Sequence, residues 1–187
     1  QQTLVITRNG LQNEACMAQW GLTRVSPMHS FLINARSESV REKPTFRDAF
    51  QNRRCLVVAS GWYEWSAPRT PWHIQLYNGG VMAFGGLLYG EEDQQHFVIL
   101  TTTADSGLTE IHERAPLVIP PDNYDDWVAS DVETAVMLLR PTPANRFNWY
   151  RVGSDVGKVS DDHPALATPL SHYDLQMEKA PQGDLFA

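Results

Sequence analysis

Trp72-His73-Ile74-Gln75-Leu76-Tyr77, then Asn78-Gly79-Gly80, then Val81-Met82-Ala83-Phe84-Gly85-Gly86-Leu87-Leu88, and beyond Gly90 to Gln94 the run Phe97-Val98-Ile99-Leu100-Thr101-Thr102, are three apolar segments of strand length separated by turn residues. They predict three strands in an antiparallel meander, because Gly- and Asn-rich clusters between apolar runs favour tight reversals. Upstream, Thr3 to Thr7 and Ala15 to Trp20 predict two strands joined by a turn at Asn9-Gly10, a strong hairpin signal. Cys55 to Ala59 predicts a buried strand that delivers the chain into Gly61-Trp62-Tyr63-Glu64-Trp65. A loop from Thr23 to Ser30, containing Pro27, leads into Phe31-Leu32-Ile33-Asn34-Ala35-Arg36-Ser37-Glu38. Read as a strand, that segment aims Asn34, Arg36 and Glu38 out of one face.

Helical signals are short. Pro44 to Phe50 opens with Pro in its first turn and places Phe46, Ala49 and Phe50 on one apolar face. Asp105 to Ile111 predicts a single helical turn ending near His112, and Leu117-Val118-Ile119 returns to strand. Pro121 to Ala129, Asp131 to Leu139 and Pro143 to Arg146 are further helical candidates, followed by a strand at Phe147 to Val152. From Asp161 the pattern weakens, and Pro164, Pro169, Pro181 and Gly183 predict an extension that wraps the surface or frays.

At 187 residues the chain has room for one well-buried domain. The expectation is a single domain over residues 1–160 with a C-terminal extension over 161–187. A hydrophobic fraction of 42% with six Trp supports a real core and excludes a mainly disordered chain. No apolar run approaches the roughly 18 residues of a membrane span, and Gln1-Gln2-Thr3 does not open a signal peptide, so the expectation is a cytoplasmic protein without a membrane partner. Cys16 and Cys55 sit in apolar contexts that favour buried thiols over a disulfide or a reactive group. Without C-x-x-C or a Cys/His cluster at zinc spacing, no structural metal or other cofactor is expected.

The net charge of −7 argues against nucleic acid until its distribution is considered. Between Arg24 and Arg54 seven basic residues face three acids, and between Asp105 and Glu133 eight acids accompany Arg114 alone. Segregation of this kind either builds a local anion-binding surface on an acidic protein or marks solvated faces.

Three segments carry chemistry. If Trp62 to Trp65 is extended, Trp62 and Glu64 share one face, and a carboxylate beside indole rings is partly desolvated, raising its pKa toward the range of a general acid or base. An ordinary ion pair with an arginine is the competing reading of Glu64. His112, flanked by Glu113 and Arg114, sits in a polar, Pro-bounded stretch where an imidazole can shuttle protons or simply lie on the surface. Asn34 and Arg36 combine an amide and a guanidinium, a set that grips phosphate, or else form a strand's polar face with Arg36 paired to Glu38. One or two of the Trp residues at a groove could stack on unpaired bases.

In this order the segments resemble the SOS response-associated peptidase (SRAP) family, the abasic-site processing and DNA–protein crosslinking proteins. The likeness rests on Trp20-Gly21-Leu22, Leu32 to Glu38, Gly61 to Trp65, Thr101 to Asp105, Ile111 to Ile119 and Val152 to Val159, which together span most of the chain up to about Ser160. The resemblance implies an α+β fold with a curved, mainly antiparallel sheet or barrel-like core, a few short helices, and a positive channel for single-stranded DNA. It implies a monomer that captures the ring-opened aldehyde of abasic sites through an N-terminal cysteine, exposed by removal of the initiator Met, closing a thiazolidine. Carried over, Asn34 orients the cysteine amine, Glu64 is the acid/base and His112 acts on the ring-opened deoxyribose. Arg36 and Arg114 hold flanking phosphates, with Trp20 and Thr101 completing the DNA-contacting surface.

The family begins with Cys-Gly-Arg whereas this sequence starts at Gln1, and neither Cys16 nor Cys55 matches the nucleophile, so the expectation is that an N-terminal stretch lies outside the 187 residues. Ala115 stands where the family more often carries Met. The competing functions are a thiol-dependent peptidase and a noncatalytic single-strand binding module, with a hydrolytic metal site of His96, His112 and Glu113 more remote for want of HExxH spacing.

Overall fold

The alternation that predicts the first hairpin forms it: Gln2–Asn9 (β1) and Gln12–Trp20 (β2) pair antiparallel from Gln2 opposite Gln19 to Asn9 opposite Gln12. Gly10 takes φ 59° at the turn, a conformation glycine adopts without strain. The computed structural model describes residues 2–26, 29–91, 94–158 and 160–179. Where a loop was expected from Thr23 to Ser30, a second hairpin forms from Leu22–Ser26 (β3) and His29–Leu32 (β4); Pro27 lies outside the described residues.

Asn34–Arg36 (β5) is shorter than the strand expected to run on to Glu38. Ser37–Ser39 is a 3-10 turn, because burying Ser37 and Val40 requires the chain to bend inward before helix α1 (Pro44–Asn52). Asn34 and Arg36 share the exposed face of β5 opposite buried Ala35, and Glu38 leaves it. In α1 the buried residues are Phe46, Ala49 and Phe50, as the periodicity requires.

Arg54–Ala59 (β6), Trp62–Trp65 (β7), Pro71–Leu76 (β8), Met82–Tyr89 (β9) and His96–Thr103 (β10) occupy the predicted places, but their pairing is not one meander. β9 pairs with β10 and with β6, while β8 pairs with β7 and with Phe147–Arg151 (β13) in a separate three-stranded sheet. The reason lies in burial. Met82 to Leu88 is covered on both faces, so β9 needs a neighbour on each edge and packing on each side, whereas β8 is only partly buried along its length. The Asn78-Gly79-Gly80 turn therefore carries the chain from one sheet to the other.

β10 is the hub. One edge takes β2 and β5, both parallel; the other takes β9 and Arg114–Pro116 (β11), both antiparallel. With β1 paired to β2 and β6, the order β10, β2, β1, β6, β9 returns to β10, and the ring closes as a small barrel. The mainly antiparallel, barrel-like α+β core is thus present. Val118–Ile119 (β12) continues from β11 onto β9.

Two apolar clusters flank the barrel wall. Val5, Ala18, Cys55, Val57, Phe84 and Phe97 pack toward Trp62, Ile74 and Phe147 of the second sheet. The alternate residues Leu56, Ala83, Leu87, Val98 and Leu100 pack under α1, α2 (Tyr124–Ala129) and α3 (Val132–Met137). Buried Arg54 ties these helices down, donating from Nε to Trp127 O, from Nη1 to Phe50 O at 2.7 Å and from Nη2 to Ser130 O. Beyond the barrel, Tyr150 donates to Ala167 O and Leu170 N to Arg151 O, holding the segment that leads to α4 (His172–Lys179), a helix not foreseen in the Pro-rich tail. Pro181 and Gly183 lie outside the described residues. No helix among the described residues is long and apolar enough to cross a membrane.

Candidate functional site

The register of β10 assembles the site. Ile99 lies opposite Asn34 and Thr101 opposite Arg36 across one edge, while Thr103 lies opposite Arg114 across the other, so β5 and β11 are brought to the same end of one strand. β7 approaches from the second sheet. Gly61 makes that approach close: a Cβ there would stand 2.6 Å from both His73 Nε2 and Ile74 O.

Glu64 and His112, 48 positions apart in sequence, meet with Oε2 and Nδ1 3.8 Å apart. They border a pocket of about 10 Å³ whose other walls include Trp62, Ile74, Leu108, Ile111 and Arg114. The apolar surroundings desolvate the carboxylate and push its pKa up, while His112 and the Trp65 backbone N–H pull the other way. This is the desolvated acid expected from Trp62 and Glu64 sharing a face. His112 Nδ1 lies 2.9 Å from Arg114 O and 3.1 Å from Arg114 N. The bare nitrogen accepts from that N–H, and the protonated nitrogen can donate to that carbonyl or turn its charge to Glu64. One residue's backbone thus offers a partner for either protonation state, which suits a proton carrier.

Arg114 forms a second wall. Its Nη1 and Nη2 grip the two oxygens of Glu38 at 2.6 and 3.0 Å, and Nη2 also donates to Thr101 O and, at 3.1 Å, to Thr101 Oγ1. The partner expected for Glu38 was Arg36; the bend at Ser37 gives it to Arg114 instead, and these hydrogen bonds hold the Glu38 carboxyl below its ordinary range. Beside this fork lies an open cleft of about 590 Å³ bordered by Arg36, Lys43, Arg114, Glu38, Glu113 and Thr103. Of the basic stretch, Arg36 and Lys43 face this cleft, Arg41 pairs with Glu133 at 2.7 Å, and Arg54 is buried.

Glu64, His112 and Arg114 therefore share one pocket, and Arg36, Arg114 and Thr103 border the adjoining cleft; Thr101 borders neither and accepts from Arg114 Nη2. Asn34 is exposed on the face of β5 that carries Arg36 and is not among the residues bordering either cavity. Trp20 is half-buried, and its indole donates to Ile33 O at 2.9 Å, fixing the backbone just ahead of Asn34. Lys43 was not singled out as a site residue, although its place directly before Pro44 in the basic stretch was a usable signal. The floor residues Ile74, Leu108 and Ile111 carried no local signal.

Cys55 is fully buried and Cys16 partly so; burial pushes both thiols up, and neither borders the pocket or the cleft. His96 is tied to Gly21 O at 3.0 Å, and among the described residues no three His, Cys, Asp or Glu side chains gather to hold a metal.

Comparison with known proteins agrees with this architecture. The chain is 29% identical over 182 residues to the abasic site processing protein YoqW of Bacillus subtilis, covering 89% of this chain and 81% of that one. It is 31% identical over 150 residues to the abasic site processing protein YedK of Escherichia coli, covering 74% and 68%. A solved protein of Bacteroides thetaiotaomicron shares the fold with a TM-score of 0.75 at 21% identity over 91% of this chain and 82% of its own. A phage-related protein of Bordetella bronchiseptica gives a TM-score of 0.66 at 29% identity over 81% and 78%. A family model described as SOS response associated peptidase (SRAP) matches residues 1–159, and the chain belongs to that family.

Proposed function

We propose that this protein handles abasic sites in single-stranded DNA by covalent capture. The observation that carries this reading is the Glu64–His112 pair at 3.8 Å in a small pocket, with Arg36, Lys43 and Arg114 along the cleft next to it. The names of YoqW and YedK, both abasic site processing proteins, favour the same substrate.

In this reading the reacting group is the N-terminal cysteine that the family resemblance implies; Cys16 and Cys55 do not border the site, and burial raises both thiols away from thiolate. Its α-amine adds to the C1′ aldehyde of the ring-opened sugar. Loss of water gives an imine, and addition of the thiol to the imine carbon closes a thiazolidine. Glu64, whose pKa burial raises, supplies the proton that lets the carbinolamine hydroxyl leave and takes one up in the steps that follow. His112 moves a proton at the ring-opened deoxyribose, and Asn34 orients the amine. Arg36, Lys43 and Arg114 attract the flanking phosphates. Glu64 also serves the peptide-bond cleavage that frees the cysteine from the initiator Met.

The test is a denaturing gel of the Cys-starting protein incubated with abasic single-stranded DNA. The expected result is a heat-stable shifted band, reduced about 100-fold or more in initial rate by Glu64→Gln. Failure of the intact protein to form any adduct refutes covalent capture. Binding without an adduct, unaltered by Glu64→Gln, assigns the protein to noncatalytic single-strand binding instead.

A further inference from the structure

Two residues that border the pocket beside Glu64 carry buried donors that the proposed chemistry does not use. Trp62 is 8% exposed, and its Nε1 is buried with no hydrogen-bond partner among the described residues. Arg114 Nε is in the same condition, although Nη1 of that guanidinium donates to Glu38 and Nη2 to Glu38 and Thr101. Both side chains border the same pocket, together with the Glu64 carboxylate. Phe84 and Phe147 stand edge-on to the Trp62 ring, with centroids 5.9 and 5.2 Å away, and offer no lone pair. A buried N–H left without an acceptor is costly, so two such groups on residues that border one pocket point to an acceptor there.

Size and polarity identify that acceptor. The pocket's volume of about 10 Å³ is close to the roughly 10–15 Å³ one water needs, and too small for a larger group. A buried water requires two to four polar partners. Its lone pairs can accept from Trp62 Nε1 and Arg114 Nε, and its hydrogens can go to a carboxylate oxygen of Glu64.

We propose that Trp62 Nε1 and Arg114 Nε jointly hold one buried water that donates to Glu64, which makes Trp62 a positioning residue for the acid. The inference deepens the reading of Glu64 as the acid/base and rests on it for its functional meaning. The water solvates the carboxylate in place of bulk solvent and fixes which oxygen is free to face the substrate. The charge acting on Glu64 from a neighbouring element is His112, in the segment before β11; Arg114 of β11 borders the same pocket, β8 presents the uncharged Trp72 opposite and Ile74, and Arg151 of β13 lies opposite Trp72 with its guanidinium over that ring.

Two measurements test this on the full chain without DNA, so their outcome is separable from that of covalent capture. A crystal structure fine enough to show waters should contain one ordered oxygen about 3 Å from Trp62 Nε1, Arg114 Nε and a Glu64 oxygen. Replacing Trp62 by 3-benzothienylalanine keeps the ring's shape and removes the N–H. With the carboxyl carbon of Glu64 followed by NMR, its titration midpoint should rise by about one pH unit, because the ionised form loses part of its solvation. Trp62→Phe should raise it in the same direction, and the wild-type crystal stands if that variant does not fold. A pocket without the oxygen, or an unmoved Glu64 midpoint in the benzothienyl protein, overturns the inference.

Discussion

Replacing Glu38 by Gln removes one charge from the cleft while keeping the side chain's shape, and the geometry predicts two effects of opposite sign. The carboxylate receives Arg114 Nη1 and Nη2 at 2.6 and 3.0 Å, a bidentate fork. Sheltered charge-assisted hydrogen bonds contribute roughly 1.5–3 kcal/mol. Here the Glu38 side chain is 51% exposed and that of Arg114 17%, so solvent screening reduces the pair to about 0.5–1 kcal/mol. For a domain of this size that is a fall in Tm of about 1–4 °C. The pH dependence has a definite sign. Arg114 lowers the Glu38 pKa in the folded state, so the stabilisation is present above the unfolded value and lost as pH falls through the lower, folded one. Wild type and Glu38→Gln should therefore converge in acid, below about pH 4.

Binding of single-stranded DNA should move the other way. In the free protein Glu38 occupies the fork that a phosphate would use, and it offsets one of the three positive charges bordering the cleft. Its removal adds one net positive charge and releases the fork. The expected gain is about three- to tenfold in affinity at low salt, with the plot of log K against log salt steeper by about 0.7, the increment for one more phosphate on a single strand. Fluorescence anisotropy of an oligonucleotide titrated over a range of salt reads both quantities. A loss of affinity alongside the loss of stability, or an unchanged salt slope, refutes the reasoning: Arg114 would then remain on Glu38 in the complex and serve only to brace Thr101.

Glu64→Gln should raise stability at neutral pH while abolishing capture. Burial lifts the Glu64 pKa above its unfolded value, so wild-type stability declines as pH rises through that window, and the variant should melt a few degrees higher at about pH 7 but together with wild type near pH 4; equal melting at neutral pH would contradict a desolvated carboxylate. Arg54→Met should cost about 3–5 kcal/mol in urea unfolding, because it strips the donors from carbonyls at Phe50, Trp127 and Ser130; a loss under about 1 kcal/mol would show that those carbonyls find other partners. Tyr150 has one hydroxyl proton and gives it to Ala167 O, so His73 Nδ1, 3.0 Å from that hydroxyl, must carry the donated hydrogen. Nitrogen-15 NMR should find the Nδ1–H tautomer, with protonation delayed below the ordinary histidine value because burial lowers the His73 pKa; an Nε2–H tautomer would break the chain of bonds that ends at Ala167.

What could be read from the sequence divides along physical lines. Properties set within a few residues were legible: Asn9-Gly10 closes the first hairpin, Pro44 starts α1, and Trp62 beside Glu64 on one face of β7 desolvates the acid. Properties set by pairing between distant segments were not. Apolar runs bounded by turn residues identify Pro71–Leu76 and Met82–Tyr89 as strands, yet they cannot say that the two belong to different sheets, because partner choice depends on burial of both faces of β9. Arg114–Pro116 becomes a strand only because β10 leaves an edge open from Thr101 to Thr103; nothing in Arg-Ala-Pro demands it. The bend at Ser37 was hidden for the same reason, since the burial of Val40 that compels it is a tertiary fact.

Arg114 shows what the pairing adds. Its position on β11, opposite Thr103, puts the end of the side chain against Glu38 and Thr101, and the residue borders both the open cleft and the Glu64 pocket. Its backbone, through N and O, meets His112 Nδ1. A phosphate that pulled the fork away from Glu38 would therefore act on the same residue that positions the imidazole and borders the acid's pocket. The cleft and the pocket thus share one residue, whose planar guanidinium grips both oxygens of Glu38 as the single ammonium of a lysine could not, while its backbone meets His112. Under the proposed function, an anion in the cleft should therefore be felt at Glu64 and His112 through Arg114.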